Sequence, residues 1–230
     1  MEGLITFVVI FLLASLQYWP IGTFFYQITK RAPSIHYVQA ERPSEQQITR
    51  EIAASWMTLL TSSLILLWPF FWAPTELKLY DQIETYGIIW YLVSIALLFV
   101  LHDTYFYWTH RWLHHPRLFR FHATHHSRSP STWTAYSFHP LEALLQNMFM
   151  IAALFLMPMH WSVYYGYSLI FLVHNFFDHC GLELYPMILR RGITGQVLQN
   201  PTGHNWHHAH LTGNYALYFK HWDRWFSSLR

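Results

Sequence analysis

The chain has 230 residues, of which 53% are hydrophobic and only 11% charged, with a formal charge of +2. Its apolar residues lie in long runs and not on amphipathic stripes, a composition suited to a bilayer. So small a charge, with Lys and Arg spread along the chain, excludes a nucleic-acid surface. One cysteine, Cys180, excludes an intramolecular disulfide, a zinc finger and a CxxC redox motif.

A membrane-spanning helix takes roughly 20 mostly apolar residues. Segments at about 4 to 26, 52 to 73, 86 to 108, 141 to 157 and 159 to 177 meet or approach that length. The first lacks the basic start and small-residue cleavage site of a signal peptide, so it reads as a retained helix. Residues 30 to 50, with Pro33 and Pro43, form a polar connector. The last two segments are one stretch broken at Pro158, where a missing backbone donor predicts a tight hairpin or a strong kink. Trp and Tyr crowd the ends of the runs, at the level expected for lipid headgroups. Residues 178 to 230 are too polar to span and predict short helices packed on one membrane face.

Basic residues give the orientation, because cytoplasmic loops carry excess Lys and Arg. Lys30, Arg31, Arg42 and Arg50 follow the first span, whereas the loop after the second has only Lys78. Arg111, Arg117, Arg120 and Arg128 follow the third, and Arg190, Arg191, Lys220, Arg224 and Arg230 lie in the C-terminal part. The expected fold is therefore an all-α integral membrane bundle of four to five spans, N-terminus outside, with a histidine-rich helical cap and the C-terminus on the cytoplasmic side. Residues 1–80 supply spans and connector and residues 81–230 the functional region, as one integrated domain.

Sixteen of the seventeen histidines fall between His102 and His221. His110 and His114 form HxxxH, which on a helix puts both rings on one face. His122, His125 and His126 form HxxHH, and His204, His207 and His208 repeat it. Alone, an HxxxH is ordinary at a membrane interface; three such clusters together point to metal, since burying so many imidazoles without a partner is costly. Imidazole suits iron, zinc, copper and nickel alike. Eight or more ligands exceed a zinc site that closes at four, so two metals are implied. The clusters hold no bridging carboxylate of the kind a hydrolytic metal pair recruits, which favours oxygen chemistry.

His174 and His179, in HNFFDH, end the fifth span, where a polar residue is expensive enough to suggest a ligand, with interfacial exposure as the alternative. His139, in FHPLE, is either a ligand or a hydrogen-bonding loop residue. Asp103 and Asp178 are candidate acceptors for the second nitrogen of a metal-bound histidine, or else solvated helix residues. His36, His115, His160, His210 and His221 show no cluster geometry, and Cys180 reads as packing.

HRWLHHPRLFRFHATHHS at 110–127, AYSFHPLE at 135–142, HNFFDH at 174–179 and HNWHHAHLTGNYALYFKHWDRWF at 204–226 together resemble the fatty acid hydroxylase and sterol desaturase superfamily, over about residues 86–230. The resemblance implies a centre of two iron ions at the cytoplasmic membrane face, with O2 as co-substrate and electrons from a separate reductant, hydroxylating or desaturating a lipid drawn from the bilayer. It carries over His110, His114, His122, His125, His126, His204, His207 and His208 as ligands, with His174 and His179 from the intermediate motif. One departure is Ala216 after Asn214 and Tyr215, where the family often has glycine; the WDRWFSS ending also lacks the glycine of WDRLFGT. No haem- or flavin-binding segment is visible, so the basic face is the expected dock for an acidic electron carrier. The rival readings are a metal transporter and a non-catalytic metal-binding membrane protein. Transporter sites lie near the bilayer midplane, whereas these clusters follow the spans in Arg-rich segments.

Overall fold

Local sequence sets where two of the helices begin. Ser44 accepts the Gln47 amide at 3.2 Å and starts α2 (Glu45–Trp72), while Asn200 accepts the Gly203 amide at 2.8 Å ahead of Pro201. Each side chain satisfies an amide that the first helical turn leaves unpaired, and proline at the first position loses nothing. In the computed structural model, which describes residues 2–230, α1 (Glu2–Arg31), α2, α3 (Gly87–Leu113), α4 (Pro140–Leu156) and α5 (Trp161–His179) form the bundle. The shorter α6 (Met187–Arg191), α7 (Ile193–Val197), α8 (Pro201–His210) and α9 (His221–Trp225) follow, as the polarity of the C-terminal part predicts.

Helices α1, α2 and α3, with 30, 28 and 27 residues, are long and apolar enough to cross a membrane. Helix α4 is apolar but has 17 residues, and α5 has 19. Leu12, Leu16 and Phe24 of α1, Trp68 of α2 and Ile89 and Leu92 of α3 face outward. An apolar surface of that extent needs lipid around it, and the protein is a multi-pass membrane protein.

Pro158 does not kink a helix. It sits between α4 and α5 beside a two-residue strand, β2 (Met159–His160), which pairs in parallel with β1 (Leu79–Tyr80). The Lys78 amide donates to the Leu154 carbonyl and the Met159 amide to the Lys78 carbonyl, both at 2.8 Å. This pair is the one strand element among the described residues of an otherwise helical chain. At the other end of the bundle α1, α3 and α5 finish and α2 and α4 begin, and there the histidines gather.

Two buried clusters hold the frame. Leu98, Leu154, Met159 and Tyr167 pack where α3, α4 and α5 meet. Tyr18, Trp133, Phe176 and Leu182 pack between α1, α5 and a single turn at Thr132–Tyr136. Trp133 is the pivot, with its ring 5.9 Å from that of Tyr18 and 5.2 Å from that of Trp19. Gln39 of the connector donates to the Pro130 carbonyl at 2.6 Å, tying the connector to the loop that follows the second histidine cluster.

Candidate metal centre

Helix α3 continues past its apolar run, so its last turn carries His110 and its C-cap is His114. A helix would put His122 on one face with either His125 or His126. The chain is not helical there: it makes one tight turn at Phe119–Phe121 and then successive turns toward His126. The third cluster is helical, on α8.

The rings converge in two groups whose candidate ligand atoms lie within 4.8 Å of one another: His110, His114, His122, His126 and His207 in one, and His125, His179, His204 and His208 in the other. Each HxxHH motif is thus divided between the groups. On α8 the reason is rotation: His204 and His208 lie one turn apart on one face, and His207, about 100° away from His208, faces the other group.

The hydrogen-bond chemistry fits metal. His110 Nδ1 donates to the Tyr215 carbonyl (3.0 Å), His207 to Gly213 (2.7 Å), His125 to Thr134 (3.1 Å), His179 to Asn175 (2.7 Å) and His208 to Ser127 (3.2 Å). A carbonyl only accepts, so each of these Nδ1 atoms carries the proton, and a neutral ring leaves Nε2 a bare lone pair. Yet Nε2 of His179 lies 3.3 Å from Nε2 of both His125 and His208. Lone pairs held face to face repel unless a cation sits between them. In the other group the Nε2 atoms of His110 and His122 are buried with no hydrogen-bond partner.

Burial, reinforced by the neighbouring imidazoles, pushes His122, His125, His126, His204, His207 and His208 well below the ordinary histidine range. Burial likewise lowers His114 to about 4. All are therefore neutral near pH 7, the form that binds metal.

The remaining candidates lie outside the two groups. His174 Nδ1 pairs with Asp178 Oδ2 at 3.1 Å, and its ring packs on Tyr218 at 4.8 Å. Asp178 therefore serves His174 and not a ring of either group. Asp103 accepts the amides of Tyr218 (2.7 Å) and Phe219 (3.0 Å), pinning the C-terminal segment and not orienting a clustered ring. His139 caps α4, its Nδ1 accepting the Leu141 amide at 3.1 Å.

Two buried carboxyls that the sequence did not single out support the groups. Glu142 Oε1 lies 2.7 Å from His122 Nδ1. Glu51 accepts from Gln47 (2.8 Å), from Ser127 Oγ (2.7 Å) and from Ser131 Oγ, fixing the loop whose Ser127 carbonyl receives His208. A carboxylate at the edge of an apolar span was the available signal for Glu51.

Gly213, which supplies the carbonyl for His207, has φ +71°, and a Cβ there would lie 2.4 Å from the Ser228 carbonyl oxygen. Gly213→Ala is expected to destabilise the protein by about 2 kcal/mol or more, read as a lower midpoint in thermal unfolding. Ala216, at the position of the family's glycine, is buried and donates its amide to Asp223 Oδ2 at 2.9 Å.

These features define a multi-pass membrane protein with two adjoining all-histidine pockets able to bind metal. Residues 95–228 match the fatty acid hydroxylase family model, and the chain belongs to that family. It is 31% identical over 196 residues to the Delta(7)-sterol 5(6)-desaturase of Gibberella zeae, covering 81% of this chain and 57% of that protein. It is 33% identical to the lathosterol oxidase of Mus musculus and 30% identical to that of Homo sapiens, each over 193 residues, 78% of this chain and 60% of the relative. The chain thus spans between 57% and 60% of the length of these curated relatives. No solved structure matches it.

Proposed function

We propose that the protein is a di-iron membrane oxidoreductase that uses O2 and electrons from a separate reductant to hydroxylate or desaturate a lipid. The observation that carries this reading is the convergence of nine imidazoles, in groups of five and four, at one end of a lipid-facing bundle. In this reading His110, His114, His122, His126 and His207 hold one iron and His125, His179, His204 and His208 the other. Iron bound there would supply the one-electron chemistry with O2 that an unactivated C–H bond requires.

The chain's own residues do the positioning. Backbone carbonyls fix the tautomer and aim of His110, His125, His179, His207 and His208, and Glu142 those of His122, the outer support that metal-binding histidines need. His174 and Asp178 brace the end of α5. Packing of Trp133 on α1, and of Ser127 on Glu51 of α2, supports treating residues 1–80 and 81–230 as one functional unit. Exposed Arg117, Arg120, Arg128, Arg190 and Arg191, on segments that follow α3 and α5, favour a cytoplasmic location for the histidine end and an acidic electron carrier as partner. The names of the relatives make a sterol the first lipid to test and desaturation the first reaction.

The test is lipid profiling of membranes from cells with and without the protein, in air and without oxygen. One lipid class is expected to lose two hydrogens or gain one oxygen, only in air. Identical profiles from cells that contain the intact protein would refute the reading.

A further inference from the structure

A cavity lies among α2, α3, α4 and α5, lined by Thr58, His102, Gln146, Tyr164, Tyr167 and Phe171 among others, with an empty space of about 620 Å³ counted to its open mouth. A smaller, tighter space lies against His122, His125, His179 and His204. Phe138 and Gln146 line both, so the two adjoin at these side chains.

Most polar groups of the larger cavity are already engaged. Thr58 donates to the Ala54 carbonyl, Asn147 to Ser62 and Ala143, and Ser168 to Tyr164. Two buried atoms are not: His102 Nε2 and Gln146 Oε1 have no partner. Their side chains are 1% and 9% exposed. Such orphans are rare, because each forfeits its hydration without compensation.

His102 is also held still. Its ring stacks on Phe149 at 4.4 Å and 7°, and Nδ1 lies 2.5 Å from the Tyr167 hydroxyl, which in turn lies 3.1 Å from that of Tyr218. The direction of Nε2 is therefore fixed before any ligand arrives.

We infer that this cavity recognises the hydroxyl of a neutral lipid alcohol through His102 Nε2 and the Gln146 side-chain amide, with the lipid body reaching past Phe138 toward the histidine groups. A hydroxyl donates and accepts at once. If His102 Nε2 carries the proton, the hydroxyl accepts from it and donates to Gln146 Oε1. If Nε2 is bare, the hydroxyl donates to it and accepts from the Gln146 amide nitrogen. An anionic head fits neither arrangement, since no Lys or Arg lines either space to offset its charge. The inference deepens the proposed function and rests on it for the fate of the bound lipid.

The test is equilibrium binding of tritiated probes to the full chain in nanodiscs, on two skeletons: cholesterol against its 3-deoxy analogue and 3-sulfate, and oleyl alcohol against octadecene and oleate. On at least one skeleton the alcohol is expected to bind at least tenfold tighter than both analogues, about 1.4 kcal/mol. In His102→Phe and Gln146→Leu that preference is expected to fall below threefold, with binding of the deoxy probe retained. No preference in the wild type, or a preference kept in the variants, overturns the inference. If His102→Phe does not accumulate, Gln146→Leu alone decides in the same way. Product analysis of the same samples, supplied with iron, reductant and O2, separates the two claims. Selective binding without oxidation refutes the proposed function and leaves the cavity assignment; oxidation without hydroxyl preference does the reverse.

Discussion

Alanine at His204 or at His207 is expected to abolish O2-dependent lipid oxidation, by roughly a thousandfold or more, while the protein still inserts and elutes as the wild type does. The two residues lie on one short helix but face different groups, His204 with His125, His179 and His208, and His207 with His110, His114, His122 and His126. Each substitution therefore strips one ligand from one group and leaves the other complete. Equal loss from both is what a centre needing two metals requires. The control is His210→Ala on the same helix, whose exposed ring stacks on Trp206 at 4.2 Å outside both groups. It is expected to keep activity within about twofold. Retention of half the activity in His204→Ala would remove that group from the reaction.

Glu142→Ala is expected to lower metal affinity or activity by about 10–100-fold, the usual cost of losing an outer carboxylate partner. Among the described residues Glu142 is the one carboxyl that bonds a histidine of either group. It is 1% exposed, and its contact with His122 Nδ1 aims His122 Nε2 at the other rings. Alanine leaves that nitrogen buried and unpaired, whereas Glu142→Gln keeps a carbonyl oxygen as acceptor. The glutamine variant is therefore expected to recover most of the loss. Chelator competition reads affinity, and initial rates read turnover. Equal defects in both variants would mean that the charge of Glu142, and not its hydrogen bond, is what matters.

The bundle was legible because long apolar runs allow little else, and the histidine set because spacing survives in one dimension. How the set divides was not legible. Adjacent His207 and His208 look like one motif, yet helical rotation sends them to different groups, and His125 and His126 part company in irregular turns that no periodicity marks. The FHPLE segment held the outer partner, but its spacing does not say which residue is used. Pro140 starts a helix, which leaves His139 as its cap and puts Glu142 in the first turn against His122. Asp103 has histidines as neighbours in sequence, but the amides it accepts come from Tyr218 and Phe219, a placement set by packing. Asp178 pairs with His174 inside its own motif, and His174 stands outside both groups. Glu51 was hidden by distance, since its partners Ser127 and Ser131 lie about eighty residues on.

The most direct measurement is iron per chain in the full-length protein, purified without chelators and assayed in parallel for lipid oxidation. Close to two irons per chain is expected in the wild type, falling together with activity in His204→Ala and in His207→Ala. One metal or none per chain, in protein that still oxidises lipid at the full rate, would contradict the two-group centre.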